Sequence, residues 1–366
     1  LSDYKNFKAT TAEQVGLKLQ ESYDHLLANA NKWAEILAFD PYPQTGMTPK
    51  ELVWSKNKAK LFRYTSDKPP VHRTPVLCLH ALINKAYILD LAPGMSVVER
   101  LVNDGLDVYL LDWGEFEWED RNLDMADLVY KYIARAVQKV CKYSHTDELS
   151  ILGYCMGGTM ASMYASLFPQ PRVRNMVLLA SPLDFANASL TAIWLNPPFG
   201  NDADKIVDTV QLAPEKFVDI DVKMLRTVNN YIGTYSRLRK MVEEEVPVQL
   251  WKLSNLWVDD NVNFPGGVYR QWIKGLYLEN QLIKGEFEML GNRVDLEKID
   301  SALLALAGAK DPIVVPDQVK AAMDAFASTD KEYHEFPIGH EGLVFGRLAQ
   351  QEVYPLLSSW LAARSD

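Results

Sequence analysis

Cysteine is scarce in this chain: Cys78, Cys141 and Cys155 are the only three in 366 residues. An odd, widely spaced set argues against a disulfide framework, fits a reducing compartment and offers no zinc-site spacing. Basic charge is also in deficit. With 38 Lys and Arg against 48 Asp and Glu, the net charge is −10, so no nucleic-acid footprint is expected. An anionic ligand would need a local basic pocket. No apolar run approaches the ~20 residues of a membrane-spanning helix. The opening LSDYKNFKATTAEQ lacks a basic-then-apolar leader pattern, so a cytoplasmic location is expected. Internal repeats and low-complexity tracts are missing as well.

What is present is ample material for a core, since 48% of the residues are hydrophobic and 23% charged. A chain of this size folds without staples, as one large domain with an insertion or as two joined domains. Over 11–37, Val15, Leu19, Tyr23, Leu26, Ala30, Trp33 and Leu37 recur at steps of three and four. This spacing predicts a helix with one apolar face. That face either packs on its own domain or docks a second subunit. Pro41, Pro43 and Gly46 end the pattern, so 1–45 reads as an N-terminal helical segment.

Apolar strand-like runs follow at 60–64, 75–79, 107–112, 149–153, 175–180, 303–308 and 332–336, with helical stretches such as 123–142 and 156–167 between them. Such alternation predicts a mostly parallel sheet covered by helices on both faces. Strands buried on both faces read as continuous apolar runs, as these do. The segment 184–290 interrupts the rhythm. It is rich in Trp, Tyr, Asn and Pro and reads as helices and loops.

The sharpest local pattern is Gly153-Tyr154-Cys155-Met156-Gly157-Gly158, after the apolar run LSILG and before the helical MGGTMASMYASLF. Strand, tight turn and helix in that order define a nucleophile elbow, here with Cys instead of Ser. Side chains at 153 and 157 would collide with the neighbouring helix and strand, hence the glycines. A helix N-terminus favours a thiolate at Cys155. Cys78, inside PVLCLH, and Cys141, inside YIARAVQKVCKY, read instead as small buried hydrophobes.

A Cys nucleophile needs a base, and the base needs an orienting group. On an α/β-hydrolase fold the chain order is nucleophile, acid, His. Asp311 follows the run LLALAG and His340 follows EYHEF, on a loop flanked by Gly339 and Gly342. Together with Cys155 they form the expected catalytic triad. The oxyanion hole is expected from the backbone N–H of Met156 and one from the loop His80-Ala81-Leu82-Ile83-Asn84, Ala81 or Leu82, with Ala81 taken as the donor. His80 reads as a loop anchor. The fold expected is therefore an α/β-hydrolase core at 46–183 and 291–366, with 184–290 inserted as a cap. No cofactor or metal is implied.

These stretches resemble the catalytic subunit of poly(3-hydroxyalkanoate) synthases. The resemblance runs from about residue 45 to the end, through ALINKAYILDL (81–91), DVYLLDWG (107–114), GYCMGG (153–158), SPLDF (181–185), FPGGVYRQW (264–272), YLENQLIKGE (277–286), KDPIVVP (310–316) and GHEGLVFG (339–346). The stretch 48–64 and the box GYCMGGT are most similar to the short, two-subunit Bacillus-type enzymes. The chain departs from the family at His80, where Tyr is usual, at Ala86, where Pro is usual, and at Pro312, where His is common.

The resemblance implies Cys155 as nucleophile, Asp311 as acid and His340 as base. It implies (R)-3-hydroxyacyl-CoA, 3-hydroxybutyryl-CoA foremost, as substrate, a growing polyester chain as product, and a granule-surface location. It further implies a small regulatory partner subunit, with a homodimer as another assembly. The aromatics Trp194, Phe199, Tyr231, Tyr235, Trp251, Trp257 and Trp272 would cover the site, or form ordinary cap core. The basic run 236–240 reads equally as a CoA-phosphate contact and as a solvated helix face. The competing functions are a Cys-dependent thioesterase or polyester hydrolase on the same fold and a non-catalytic granule scaffold.

Overall fold

The computed structural model describes residues 45–186, 203–215 and 248–365, together with Gln20, Asp24, Ala30, Asn31, Ala34 and Ala38. Eight strands form one sheet: β1 (Lys50–Lys56), β2 (Ala59–Tyr64), β3 (Val76–Leu79), β4 (Val108–Asp112), β5 (Glu148–Tyr154), β6 (Arg172–Leu179), β7 (Ala302–Gly308) and β8 (Lys331–Phe336). The spatial order is β1-β2-β4-β3-β5-β6-β7-β8. β2 pairs antiparallel with β1 and β4, and every other pairing is parallel. Parallel strands must be covered on both faces, and the central ones are: β3 (VLCL) is buried at all four positions, and β5 and β7 at all but their first residue. Each such Leu or Ile contributes ~1.5–3 kcal/mol relative to exposure.

The covering helices begin with α1 (Val97–Asn103) and α2 (Ala134–Tyr143), which continues the π-helical turns Asp127–Ile133. Ser96 caps α1 by accepting the Glu99 N–H at 2.9 Å, a contact typically worth ~1 kcal/mol. α3 (Met156–Leu167) leaves directly from the end of β5. Its Gly157, Gly158, Ala161 and Ser162 are all buried; small residues there let the helix lie close to the sheet.

Between β6 and β7 no strand of the main sheet occurs among the described residues. This insertion contains α4 (Ala203–Val210), α5 (Val248–Asp259) and α6 (Gly266–Arg270), the last continuing into the π-helical Gln271–Leu278. After β7 come α7 (Pro316–Lys320), then β8 and the C-terminal α8 (Tyr354–Ala363).

Seven of the eight strands coincide with the expected apolar runs. β1 was not expected, because KELVWSK is an edge strand whose residues are exposed or half-buried and has only three apolar residues in a row. Of the expected N-terminal helix, the described positions within it are helical and exposed. They include Ala30, which belongs to the expected apolar face. Val15, Leu19, Tyr23, Leu26, Trp33 and Leu37 lie outside the described residues, as do Trp194, Phe199, Tyr231, Tyr235, the Trp251 side chain and the basic run 236–240. Trp257 and Trp272 are both buried in the insertion.

Candidate active site

Cys155 stands at the sharp turn between β5 and α3, with φ 53° and ψ −126°. A non-glycine residue in that region carries on the order of 1–3 kcal/mol of strain. The turn is held by the Cys155 N–H donating to Leu179 O at 2.9 Å and the Gly158 N–H donating to Cys155 O at 3.0 Å. Two glycines make the turn possible. A Cβ at Gly153 would sit 2.2 Å from the Gly158 Cα, and one at Gly157 only 2.1 Å from Leu79 O. The expected collisions with helix and neighbouring strand are thus the ones the backbone presents.

Because β5, β7 and β8 are parallel, the loops leaving their C-terminal ends meet. The loop after β7 carries Asp311 and the loop after β8 carries His340. His340 Nδ1 donates to Asp311 Oδ2 at 2.7 Å. The other carboxylate oxygen, Asp311 Oδ1, accepts the N–H groups of Ile313 at 2.8 Å and Val314 at 2.9 Å. Asp311 is thereby fixed from both sides, and Pro312 removes no donor that this arrangement uses. The Cys155 sulfur is near enough to favour the imidazole's charged form, and the ring packs on that of Tyr154, centroid to centroid 5.1 Å. Cys155, Asp311 and His340 are 8%, 4% and 4% exposed, so the three meet in a site largely closed to solvent.

Burial works against a charged His340, but the Asp311 carboxylate and the Cys155 sulfur outweigh it and hold the imidazole well above its ordinary 6.5. A raised pKa stabilises the fold fully below the unfolded histidine's value of ~6.5 and ceases to do so as pH climbs through the folded value. In Asp311→Asn, burial is opposed by Cys155 alone, so the His340 titration, followed by ring NMR, is expected to move down. The stability deficit of that variant should be widest below about pH 6.5 and shrink as pH rises through the folded His340 value. A deficit that grows with rising pH would contradict the pairing.

The other cysteines differ in kind. Burial pushes the Cys78 thiol up to about 12 and the Cys141 thiol up to about 11, so both remain protonated hydrophobes. His80 is also buried. Burial pulls it down to about 4, despite Asp112 nearby and a backbone contact at Ala81. That contact does not reach hydrogen-bond geometry, since both ring nitrogens lack a partner. His80 is therefore neutral near pH 7, and its carbonyl accepts Trp113 Nε1 at 3.2 Å.

Met156 opens α3, so its N–H has no intrahelical partner and lies beside Cys155. Ala81 and Leu82 are buried just past β3, the strand neighbouring β5. Ala86 is buried in the short 3₁₀ turn Ala86–Leu89. The loop 83–87 is tied to residues 257–262 of the insertion, through Asn84 and Asn261 among others. The two asparagines are 177 positions apart, and no local pattern connects them.

A nucleophile elbow, a β-strand order with a single antiparallel strand and an Asp–His pair after the last two strands define an enzyme of the α/β-hydrolase fold. The family described as "alpha/beta hydrolase fold" matches residues 74–346, and that described as "Poly-beta-hydroxybutyrate polymerase (PhaC) N-terminus" matches 19–101. The chain is 36% identical over 322 residues to the poly(3-hydroxyalkanoate) polymerase subunit PhaC of Haloferax mediterranei, covering 88% of this chain and 65% of that protein. It is 33% identical over 330 residues to the protein of the same name from Synechocystis, covering 88% of this chain and 86% of that one. Among solved structures, the monoglyceride lipase of Saccharomyces cerevisiae superposes with a TM-score of 0.57 at 14% identity, over 90% of this chain and 99% of that one, a likeness of fold. The chain belongs to the poly(3-hydroxyalkanoate) polymerase family and is an acyltransferase of polyhydroxyalkanoate synthesis.

Proposed function

We propose that this chain polymerises (R)-3-hydroxyacyl-CoA, 3-hydroxybutyryl-CoA foremost, by way of an acyl thioester on Cys155. The observation that carries this reading is Cys155 on a strained elbow beside His340, which is itself held by Asp311. His340 takes the thiol proton, and the sulfur attacks the CoA thioester carbonyl. The developing oxyanion is met by the N–H groups of Met156 and Ala81. The C–S bond to CoA breaks, and CoA leaves as the thiol with the proton from His340. Exchange of one thioester for another is nearly balanced, so the acyl group remains activated. The 3-hydroxyl of another unit, deprotonated by His340, then attacks the acyl carbon, and the new ester forms as Cys155 is released.

Water competes for that carbon. A polymerising site must therefore be drier than a hydrolytic one, and the near-complete burial of Cys155 and His340 supports this. The cover is the insertion 184–290, which we assign as a cap on the core 46–183 and 291–366, with 1–45 as a separate helical segment. A small regulatory subunit or a second copy of the chain is the assembly partner, in keeping with the word "subunit" in the relatives' names. Granules are its place of action; no helix among the described residues is long and apolar enough to cross a membrane. CoA enters as part of the substrate, and no further cofactor has a step to perform.

Product analysis tests the reading. The chain, alone and with a candidate partner, is incubated with (R)-3-hydroxybutyryl-CoA, and free thiol, free acid and polymer are measured. Polymer accounting for most of the CoA released is the expected result. Stoichiometric free hydroxy acid would make it a thioesterase instead, and no CoA release under any condition would favour a scaffold.

A further inference from the structure

The loop that follows β3 is fastened at its far end to the cap. Val262 N–H donates to Ile83 O at 3.0 Å, and Asn84 and Asn261 form an antiparallel bridge. The Asn84 Nδ2 donates to Asn261 Oδ1 at 2.8 Å, with both side chains buried. Asn261 is in turn held at the end of α5 by its Nδ2 donating to Val258 O at 3.0 Å. Two further bonds flank this pair: Trp257 Nε1 donates to Lys85 O at 2.9 Å, and Tyr87 OH donates to Asp260 Oδ2 at 3.0 Å. Lys85 adds ion pairs to Asp260, at 3.7 Å, and to Glu115. At the other end the loop is pinned by Trp113 on His80 O.

We propose that Asn261 is a positioning residue for the oxyanion hole, acting through Asn84 to fix the Ala81 N–H. This role rests on the acyl-Cys155 reading above. Ala81 lies between the Trp113 anchor and the Asn84 bridge, on a segment without strand or helix of its own. Its direction is therefore set by those two ends. An oxyanion donor acts only if it is aimed where charge develops, and misplacement on the order of 1 Å costs ~100-fold in rate. The cap thus completes the catalytic geometry besides covering it. Loss of the Asn84–Asn261 bond reduces the rate of thioester attack and leaves substrate capture nearly unaltered.

The test uses the full chain carrying Asn261→Ala, Asn84→Ala or both, with three readouts. These are single-turnover CoA release across substrate concentration, alkylation of Cys155 by iodoacetamide followed on the Cys155 peptide, and melting temperature. Alkylation is a displacement at sulfur that develops no oxyanion, so it reports elbow, thiol and access without the hole. Each single variant is expected to release CoA ~10- to 100-fold more slowly at saturation, with the half-saturating concentration within about twofold. Alkylation should be unchanged, and the double variant no slower than the slower single one. If Asn261→Ala gives little folded protein, Asn84→Ala removes the same bond and leaves α5 intact. Unchanged CoA release, multiplied losses in the double variant, or alkylation slowed in parallel would each overturn the role. CoA release that survives Cys155→Ala would overturn the acyl-Cys reading and this role with it. Release that needs Cys155 but ignores Asn261 would overturn this role alone.

Discussion

Cys155→Ser is expected to lower CoA release from hydroxyacyl-CoA by ~10³-fold or more while leaving the melting temperature close to that of the parent. A serine hydroxyl ionises far less than a thiol and is the weaker nucleophile at neutral pH. Oxygen is smaller than sulfur and fits the same turn, so the backbone at φ 53° has no new clash to relieve. The seryl ester that did form would have lost the activation of a thioester, so elongation should suffer at least as much as acylation. CoA release by the Ser variant within a few fold of the parent would refute Cys155 as the covalent carrier.

His340→Gln and Asp311→Asn should differ in kind. Without His340 nothing takes the proton from Cys155, and a positioned base is worth ~10²–10⁴-fold; single-turnover acylation and steady-state polymerisation should fall together. The Asp311 carboxylate is bonded to His340 and to two backbone N–H groups, not to the sulfur. It orients His340 through the 2.7 Å bond and favours the imidazolium. With Asn in its place the thiol proton can still pass to His340, so acylation falls less. Deprotonating an incoming hydroxyl is the harder demand on the base, so elongation falls more. Equal losses in both assays for both variants would contradict this division.

The parts of this fold that were legible in the sequence share a physical cause. Strands buried on both faces must be apolar throughout, so β3 to β7 stand out as runs such as VLCL and ALLALAG. The elbow stands out because its turn tolerates only glycine at 153 and 157. Asp311 and His340 lie on loops after strands, which parallel topology brings together. β1 was not legible, since an edge strand need bury little and KELVWSK buries none of its residues fully. Nor was the Asn84–Asn261 bridge, because a polar pair joined across 177 residues leaves no periodicity to read. The backbone N–H groups that fix Asp311 come from Ile313 and Val314, and main-chain donors have no sequence signature at all.

The most direct measurement is the mass of the Cys155 peptide after brief mixing of the chain with (R)-3-hydroxybutyryl-CoA and rapid acid quench. The account predicts a hydroxyacyl adduct on Cys155, cleavable by hydroxylamine as a thioester is, formed with one CoA released per adduct and extended by further units as the reaction proceeds. Polymer accumulating while Cys155 stays unmodified at every time point, or the adduct appearing on Cys78 or Cys141 instead, would contradict it.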